Sequence, residues 1–402
     1  MMWEMCRKLQ PELVRMRREL HQIPEVGDVL PKTRAYVEEK LREYGIAYTE
    51  NASDSGLVAV IEGGRPGACV AFRADMDALP IEEENEVEYK SCHEGAMHAC
   101  GHDSHMAMLL GAAKVLNEHR AGLSGSVRLF FQTNEEGSRG AERMVKEGCM
   151  EGVDAVFGTH IGCIVSKDIP SGTVIVSPGC CMASFDKFII RIKGLGCHGS
   201  TPEKGVDPIN IAAHIIINLQ EVVAREIAAV KPAVLTIGMI NAGFAYNAIP
   251  TEVTMEGTIR ALEEDVRQQL AKRIAEISRA TAETFRGSAE TEMVWGAPPV
   301  VNDAGMAALA ADCARDVAGA DKVIDRIDAP NMGGEDFAYY LSEKPGAFMF
   351  LSSSDHAKMS DIPHHNPRFN IDEDVLWEGS AVFVRIAERF LNGYKGAGEH
   401  KG

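Results

Sequence analysis

The chain has 402 residues, 45% hydrophobic and 25% charged, a balance that fits a globular protein long enough for two domains and in no need of covalent staples. Its formal net charge of -18 repels polyanions and leaves no basic stripe, so nucleic acid is not an expected partner. The 10 cysteines are scattered without C-x-x-C spacing, and neither a secretory signal nor an apolar run of the roughly 20 residues that span a membrane is written here; reduced thiols, no membrane and a cytoplasmic address are expected.

Leu9, Leu13, Met16 and Leu20 share one face at helical spacing, and TRAYVEEKLREYG predicts a second helix that stops at Gly45. Apolar, β-branched strands then alternate with helices: strands over 57–63 and 69–76, a helix from about Ser104, a strand over 126–133, a helix over 139–148 and a strand over 155–161. That order predicts an α/β fold with a mainly parallel sheet. From Phe185 the rhythm becomes strand, helix (207–229), two strands, helix (264–285), strand, which is the ferredoxin-like βαββαβ pattern. The α/β alternation resumes near residue 300 with a helix over 303–318, a strand over 346–351 and a helix over 374–392. The expected organisation is a catalytic domain in two parts, 1–183 and 297–402, interrupted by an inserted domain at 184–296; the terminal GYKGAGEHKG is expected to fray.

In an open parallel sheet, ligands bind beyond the carboxyl ends of the strands. Here those ends lead to Asp75 and Asp77, to Glu135 and Glu136, to His160, and to His364 and His365, while HACGHD lies in a similar loop just before a helix. Taken singly, each has a bland reading as a hydrogen-bonded histidine or a solvated acidic pair. Convergence on one edge is what makes them candidates. Cys100 and His102 suit zinc or a similar ion, and Gly101 between them permits a tight bend. No second local pair completes a structural zinc knuckle, so dispersed ligands favour a catalytic site. Of two adjacent glutamates, one can bind an ion while the other stays near enough to take a proton from water that the ion has acidified. With about five candidate ligands and two ions roughly 3.5–4 Å apart, a thiolate or carboxylate would bridge them.

RADMDALP (73–80), MHACGHDSHMAMLLGAA (97–113), FFQTNEEGSRGAERMV (130–145), GTHIG (158–162), GVDPIN (205–210), NAIP (247–250), GTIR (257–260), GGEDFAYY (333–340) and HNPRFNIDE (365–373) together resemble the aminoacylase-like metal-dependent amidohydrolases. That subgroup of the dinuclear aminoacylase and carboxypeptidase metallopeptidases includes N-acyl-amino-acid amidohydrolases, hippurate hydrolases and auxin-conjugate hydrolases. The resemblance implies two divalent ions, manganese or zinc with cobalt or nickel as alternatives. Their ligands would be Cys100, His102, Glu136, His160 and His365, with Glu135 as general base and Asp77 orienting a ligand imidazole. It implies that the inserted domain is a lid and a homodimer module, that His198 in KGLGCHGS polarises the scissile carbonyl, and that Asn247 and Arg260 meet the substrate. Arginine suits a bidentate clamp on a free carboxylate; the alternative for Arg260 is a structural ion pair. His98 and His105 are assigned supporting roles, and Asp103 either a supporting or a ligand role.

The chain departs from the pattern at Thr133-Asn134, where the family often has Pro-Ala, at Glu203, where a histidine often stands, and at Cys197 beside His198. These positions bear on pocket and lid, hence on the substrate more than on the reaction. The expected activity is hydrolysis of the amide of N-acyl-amino acids or related small N-acyl or aryl conjugates. A dipeptidase or carboxypeptidase with the same centre is the alternative, and a non-catalytic metal-binding or thiol-redox protein is the rival of another class.

Overall fold

The structure, a computed structural model, describes residues 1–393; the tail expected to fray lies, from residue 394 on, outside the described residues. The chain divides into two compact units. One comprises Met1–Cys181, Val300–Ala329 and the described residues from Asp336 onward; the other comprises Met182–Pro299 and Pro330–Glu335. The short segment 330–335, which the sequence reading left in the catalytic domain, thus clusters with the smaller unit.

The larger unit is built on an eight-stranded sheet. From edge to edge its strands are Ala47–Glu50, Leu57–Glu62, Ser124–Gln132, Arg65–Asp75, Ala155–Gly162, Gly346–Ser352, Val174–Ile175 and Val323–Ile324. The four central strands, 124–132, 65–75, 155–162 and 346–352, run parallel to one another, while antiparallel pairs lie toward both edges. Strands 155–162 and 346–352 are buried at every residue, and 65–75 from Cys69 on. That explains their continuous apolar runs, because a parallel sheet covered on both faces has no solvent side to alternate with. Helices His102–Glu118 and Leu376–Leu391 share a single core with the sheet, and Ser380 Oγ donates to Met108 O across them at 2.8 Å. Gly45 ends the helix Pro31–Tyr44 with φ +70°, as its sequence predicts.

The smaller unit is a four-stranded antiparallel sheet in the order Ala233–Ala242, Glu252–Ala261, Asp186–Lys193, Ser288–Val294. In chain order its strands therefore lie 2-3-1-4, the ferredoxin-like arrangement. Phe188, Ile190 and Ile192 point into a core shared with helices Pro208–Glu221 and Glu264–Thr284, while Lys187, Arg191 and Lys193 are exposed. Each buried apolar side chain contributes about 1.5–3 kcal/mol. The first of these helices is shorter than the predicted 207–229: it passes into a single π turn, Val222–Glu226, and ends. Apolar periodicity continues through VVAREI, but the hydrogen-bond pattern has changed by then.

Candidate metal centre

Because the four central strands are parallel, their carboxyl ends meet at one edge of the sheet, and each delivers polar side chains there. Asp77 follows the strand 65–75, and its carboxylate accepts the backbone N–H of Glu135 at 2.9 Å and of Glu136 at 3.1 Å. The expected orienting bond to a ligand imidazole takes a different form. His102 Nδ1 donates to the backbone carbonyl of Asp77 at 2.8 Å and stands 3.8 Å from the carboxylate. The carboxylate of Asp77 thus holds the glutamate pair, and its main chain holds the imidazole. Burial is the main reason its carboxyl is pushed well above the ordinary range, with the neighbouring carboxylates of Glu136 and Asp75 adding to it against those two N–H donors.

Gly101 has φ +90°, and a Cβ there would come within 2.9 Å of Ile161 Cγ2, so only glycine makes this bend between Cys100 and the helix that starts at His102. His160 Nδ1 pairs with Ile161 O at 2.9 Å, leaving Nε2 toward Cys100 Sγ at 3.3 Å. His365 is tied to the same region by its N–H to Ala99 O at 2.9 Å, and its Nε2 lies 3.2 Å from Glu136 Oε1. Glu135 Oε2 stands 4.0 Å from His102 Nε2.

Of five groupings of possible metal-binding atoms among the described residues, each within 4.8 Å of one another, three join the predicted ligands: Cys100, His102 and His160; Cys100, Glu136 and His365; and His102, Glu135 and Glu136. The thiol is common to the first two. Both His102 and His160 give their Nδ1 proton to a carbonyl and so turn an Nε2 lone pair inward; His102 Nε2 is buried without a hydrogen-bond partner. Burial lowers both imidazoles below their ordinary range, which keeps them neutral and able to ligate. Burial and the carboxylates of Glu136, Glu135 and Asp75 push the Cys100 thiol well up. A thiol, carboxylates and inward imidazole lone pairs gathered at one place fit divalent ions.

The other polar residues of the opening motif are committed elsewhere. His105 Nδ1 donates to Asp75 Oδ1 at 2.6 Å and its Nε2 accepts the Ile161 N–H at 2.9 Å, so neither nitrogen is available. Asp103 faces Arg17 at 2.9 Å and His21 at 2.7 Å, which makes it a structural carboxylate. His98 is buried, with neither ring nitrogen hydrogen-bonded. His364 donates to Ile161 O at 2.9 Å, and so His365 is the histidine of that pair that reaches Glu136.

Sequence reasoning missed the support beneath the edge. Arg73, fully buried, bonds Asp75, Asp336 (2.9 Å) and Gln132 (2.8 Å), and Tyr340 donates to Gln132 at 3.0 Å. The available signal was an arginine inside the apolar run CVAFRADM, since a buried guanidinium requires partners. In this network burial raises Asp336 to about 6, while at Asp75 the Arg73 guanidinium, helped by the hydrogen bond from His105, outweighs burial and holds the carboxyl well below the usual carboxylate range.

In the smaller unit, His198 and Asn247 lie together on a two-stranded ribbon: His198 pairs with Ala248, and Gly199 N donates to Asn247 O at 2.8 Å. His198 is exposed, and its Nδ1 accepts the Ser200 N–H at 3.1 Å. Arg260 is half-buried, donates to Thr258 Oγ1 and Ile259 O, lies over the Phe185 ring at 5.6 Å, and makes no ion pair among the described residues.

The pattern of peptidase family M20/M25/M40 matches residues 71–389. An N-acetyl-L-cysteine deacetylase of Bacillus subtilis (strain 168) is 39% identical over 384 residues, covering 96% of this chain and 89% of that protein. Thermostable carboxypeptidase 1 of Saccharolobus solfataricus is 36% identical, covering 96% and 97%. The crystal structure of the Bacillus subtilis YXEP protein, described as a dinuclear metal binding peptidase, superposes with a TM-score of 0.82 at 33% identity, covering 96% and 99%. The chain belongs to peptidase family M20/M25/M40 and is a metal-dependent amidohydrolase.

Proposed function

We propose that the chain hydrolyses the amide bond of N-acyl-amino acids, or of related small N-acyl or aryl conjugates, to a carboxylate and a free amine. The observation that carries this reading is the adjacent pair Glu135-Glu136, whose backbone Asp77 holds while Glu136 reaches His365 and Glu135 remains near His102. Cys100, His102, Glu136, His160 and His365 are the proposed ligands of two divalent ions, manganese or zinc ahead of cobalt or nickel. When bound, such ions polarise the carbonyl and lower the pKa of water. Glu135 takes the proton of the attacking water and delivers it to the leaving nitrogen. His198, whose Nδ1 accepts from Ser200, has its proton on Nε2 and donates it toward the carbonyl oxygen as charge develops there. Asn247 and Arg260 bind the substrate, Arg260 through its free carboxylate; the absence of an ion pair at Arg260 among the described residues supports this.

The smaller unit is also the proposed homodimer module. Its edge strand Ala233–Ala242 exposes Met239 and Ile240, and Phe244 and Tyr246 follow, 83% and 103% exposed; unpaired apolar edges of this kind call for a partner. The cysteines are scattered without C-x-x-C spacing, which supports a reducing compartment such as the cytoplasm, and no helix among the described residues is long and apolar enough to cross a membrane.

The carboxypeptidase relative favours a second reading, cleavage of small peptides at the same centre. Metal-replete protein assayed on N-acetyl and N-benzoyl amino acids beside dipeptides separates the two: faster turnover of the acyl-amino acids is expected, and a preference for dipeptides would overturn the first reading.

A further inference from the structure

Residues 133–138, which carry both glutamates, form a turn that ordinary side chains resist. Asn134 has φ +52° and Ser138 φ +61°, two of the five non-glycine residues with positive φ among those described. Asparagine tolerates this left-handed region better than most residues, but its tolerance does not select one orientation. The downstream side of the turn is held by the two N–H bonds to Asp77 and by Ser138 N to Glu135 O at 2.7 Å. The upstream side is held by a side chain from far away in sequence: Asn134 Nδ2 donates to Asp28 Oδ1 at 2.6 Å.

Asp28 is itself anchored. Arg143 Nη1 lies 2.8 Å from Asp28 and 3.0 Å from the buried carboxylate of Asp54, and Asp28 O accepts the Ser55 N–H at 3.2 Å. The Asn134 side chain has little room to swing aside, since a Cβ on Gly137 would lie 2.0 Å from its Oδ1. We propose that Asp28 and Asn134 are positioning residues for Glu135: their hydrogen bond holds the left-handed turn from which the two glutamates diverge. The inference rests on the reading of Glu135 as general base. Neither residue belongs to the hydrophobic core, and the Asp28 side chain is 41% exposed, so the bond contributes little to global stability. Its effect is on the direction of one carboxylate, where a displacement of about 1 Å costs on the order of 10²-fold in rate.

The test compares D28A, N134A, N134G, D28N and the D28A/N134A double variant with wild type in steady-state kinetics, bound metal per chain and thermal melting, with E135Q alongside. D28A is expected to lower kcat by about 10- to 100-fold with KM, metal content and melting temperature unchanged, and N134A to show the same kinetic loss with a slightly lower melting temperature, because alanine resists the left-handed angle. N134G, which allows the backbone angle without the tether, falls to the same level. The double variant falls no further than the worse single variant, because both remove one interaction. D28N keeps an oxygen acceptor for Asn134 and recovers most of the loss. Wild-type kcat in D28A and N134G, or losses that multiply in the double variant, would overturn the proposal, as would a loss seen only in melting temperature or metal content. Wild-type turnover by E135Q would instead overturn the assignment of the base, and is read separately.

Discussion

His102 in the larger unit and His198 in the smaller one carry the same imidazole, yet opposite partners hold them. His102 gives its Nδ1 proton to the Asp77 carbonyl and is left with a bare, buried Nε2. His198 accepts the Ser200 N–H at Nδ1, which places the proton of the neutral ring on an exposed Nε2. These tautomers match the proposed roles, the first ring as ligand of a cation and the second as donor to a developing oxyanion. A neighbouring backbone group, a carbonyl in one case and an N–H in the other, sets which tautomer is present and so which chemistry the ring can do. The larger unit also surrounds its groups with several fixed bonds each, whereas the smaller one offers His198 and Asn247 on a short ribbon.

The sharpest way to break this contrast is metal removal. Chelation should abolish activity and manganese or zinc restore it; activity untouched by an effective chelator would refute a metal role altogether. E135Q should reduce kcat by about 10²- to 10⁴-fold while retaining bound metal, measured by elemental analysis beside single-turnover rates. H102A and H198A then separate the two histidines. H102A is expected to lose bound metal, whereas H198A keeps it and loses about 10²- to 10³-fold in kcat; metal loss in H198A would erase the distinction. R260A should act chiefly on KM, raising it about 10- to 100-fold for substrates with a free carboxylate, with R260K restoring little. Equal KM for carboxylate and carboxamide substrates in wild type would remove Arg260 from that role.

The smallest effect is expected away from both regions, at Glu378. It is 8% exposed with an unpartnered Oε2, and burial raises it from 4.5 to about 7. Between those values the folded state holds more protons than the unfolded one, so stability falls as pH rises through that window. E378Q removes this dependence: its melting temperature should exceed wild type by several degrees at pH 8 and converge with it near pH 4.5. Unchanged kcat in this variant provides the control that stability and catalysis are read apart.

Much of the fold was legible because its main elements are long and strongly patterned. The continuous apolar runs at 69–76 and 155–161 and the alternating FDKFIIRIKG each match one strand environment. Short elements such as Ala47–Glu50, Val174–Ile175 and Val323–Ile324 were not, since two to four residues contain no period and their pairing is decided by neighbours. The candidate metal-binding side chains stood out by type and by position at strand ends. The supports of Asp75 and Glu135 did not: Asp336 is 263 residues from Arg73 and Asp28 is 106 from Asn134, and no local pattern links them.

By itself the sequence determined the alternation of elements, the change of rhythm at the inserted segment and the kinds of group available at the sheet edge, because these depend on residue type and short-range spacing. Only the tertiary structure decided that Asp77 grips the glutamate pair by its carboxylate and His102 by its carbonyl, that His105 and Asp103 are already committed, and that Asn134 leans on Asp28. Those outcomes depend on which hydrogen-bond donor meets which acceptor across long stretches of chain, and folding alone brings them together.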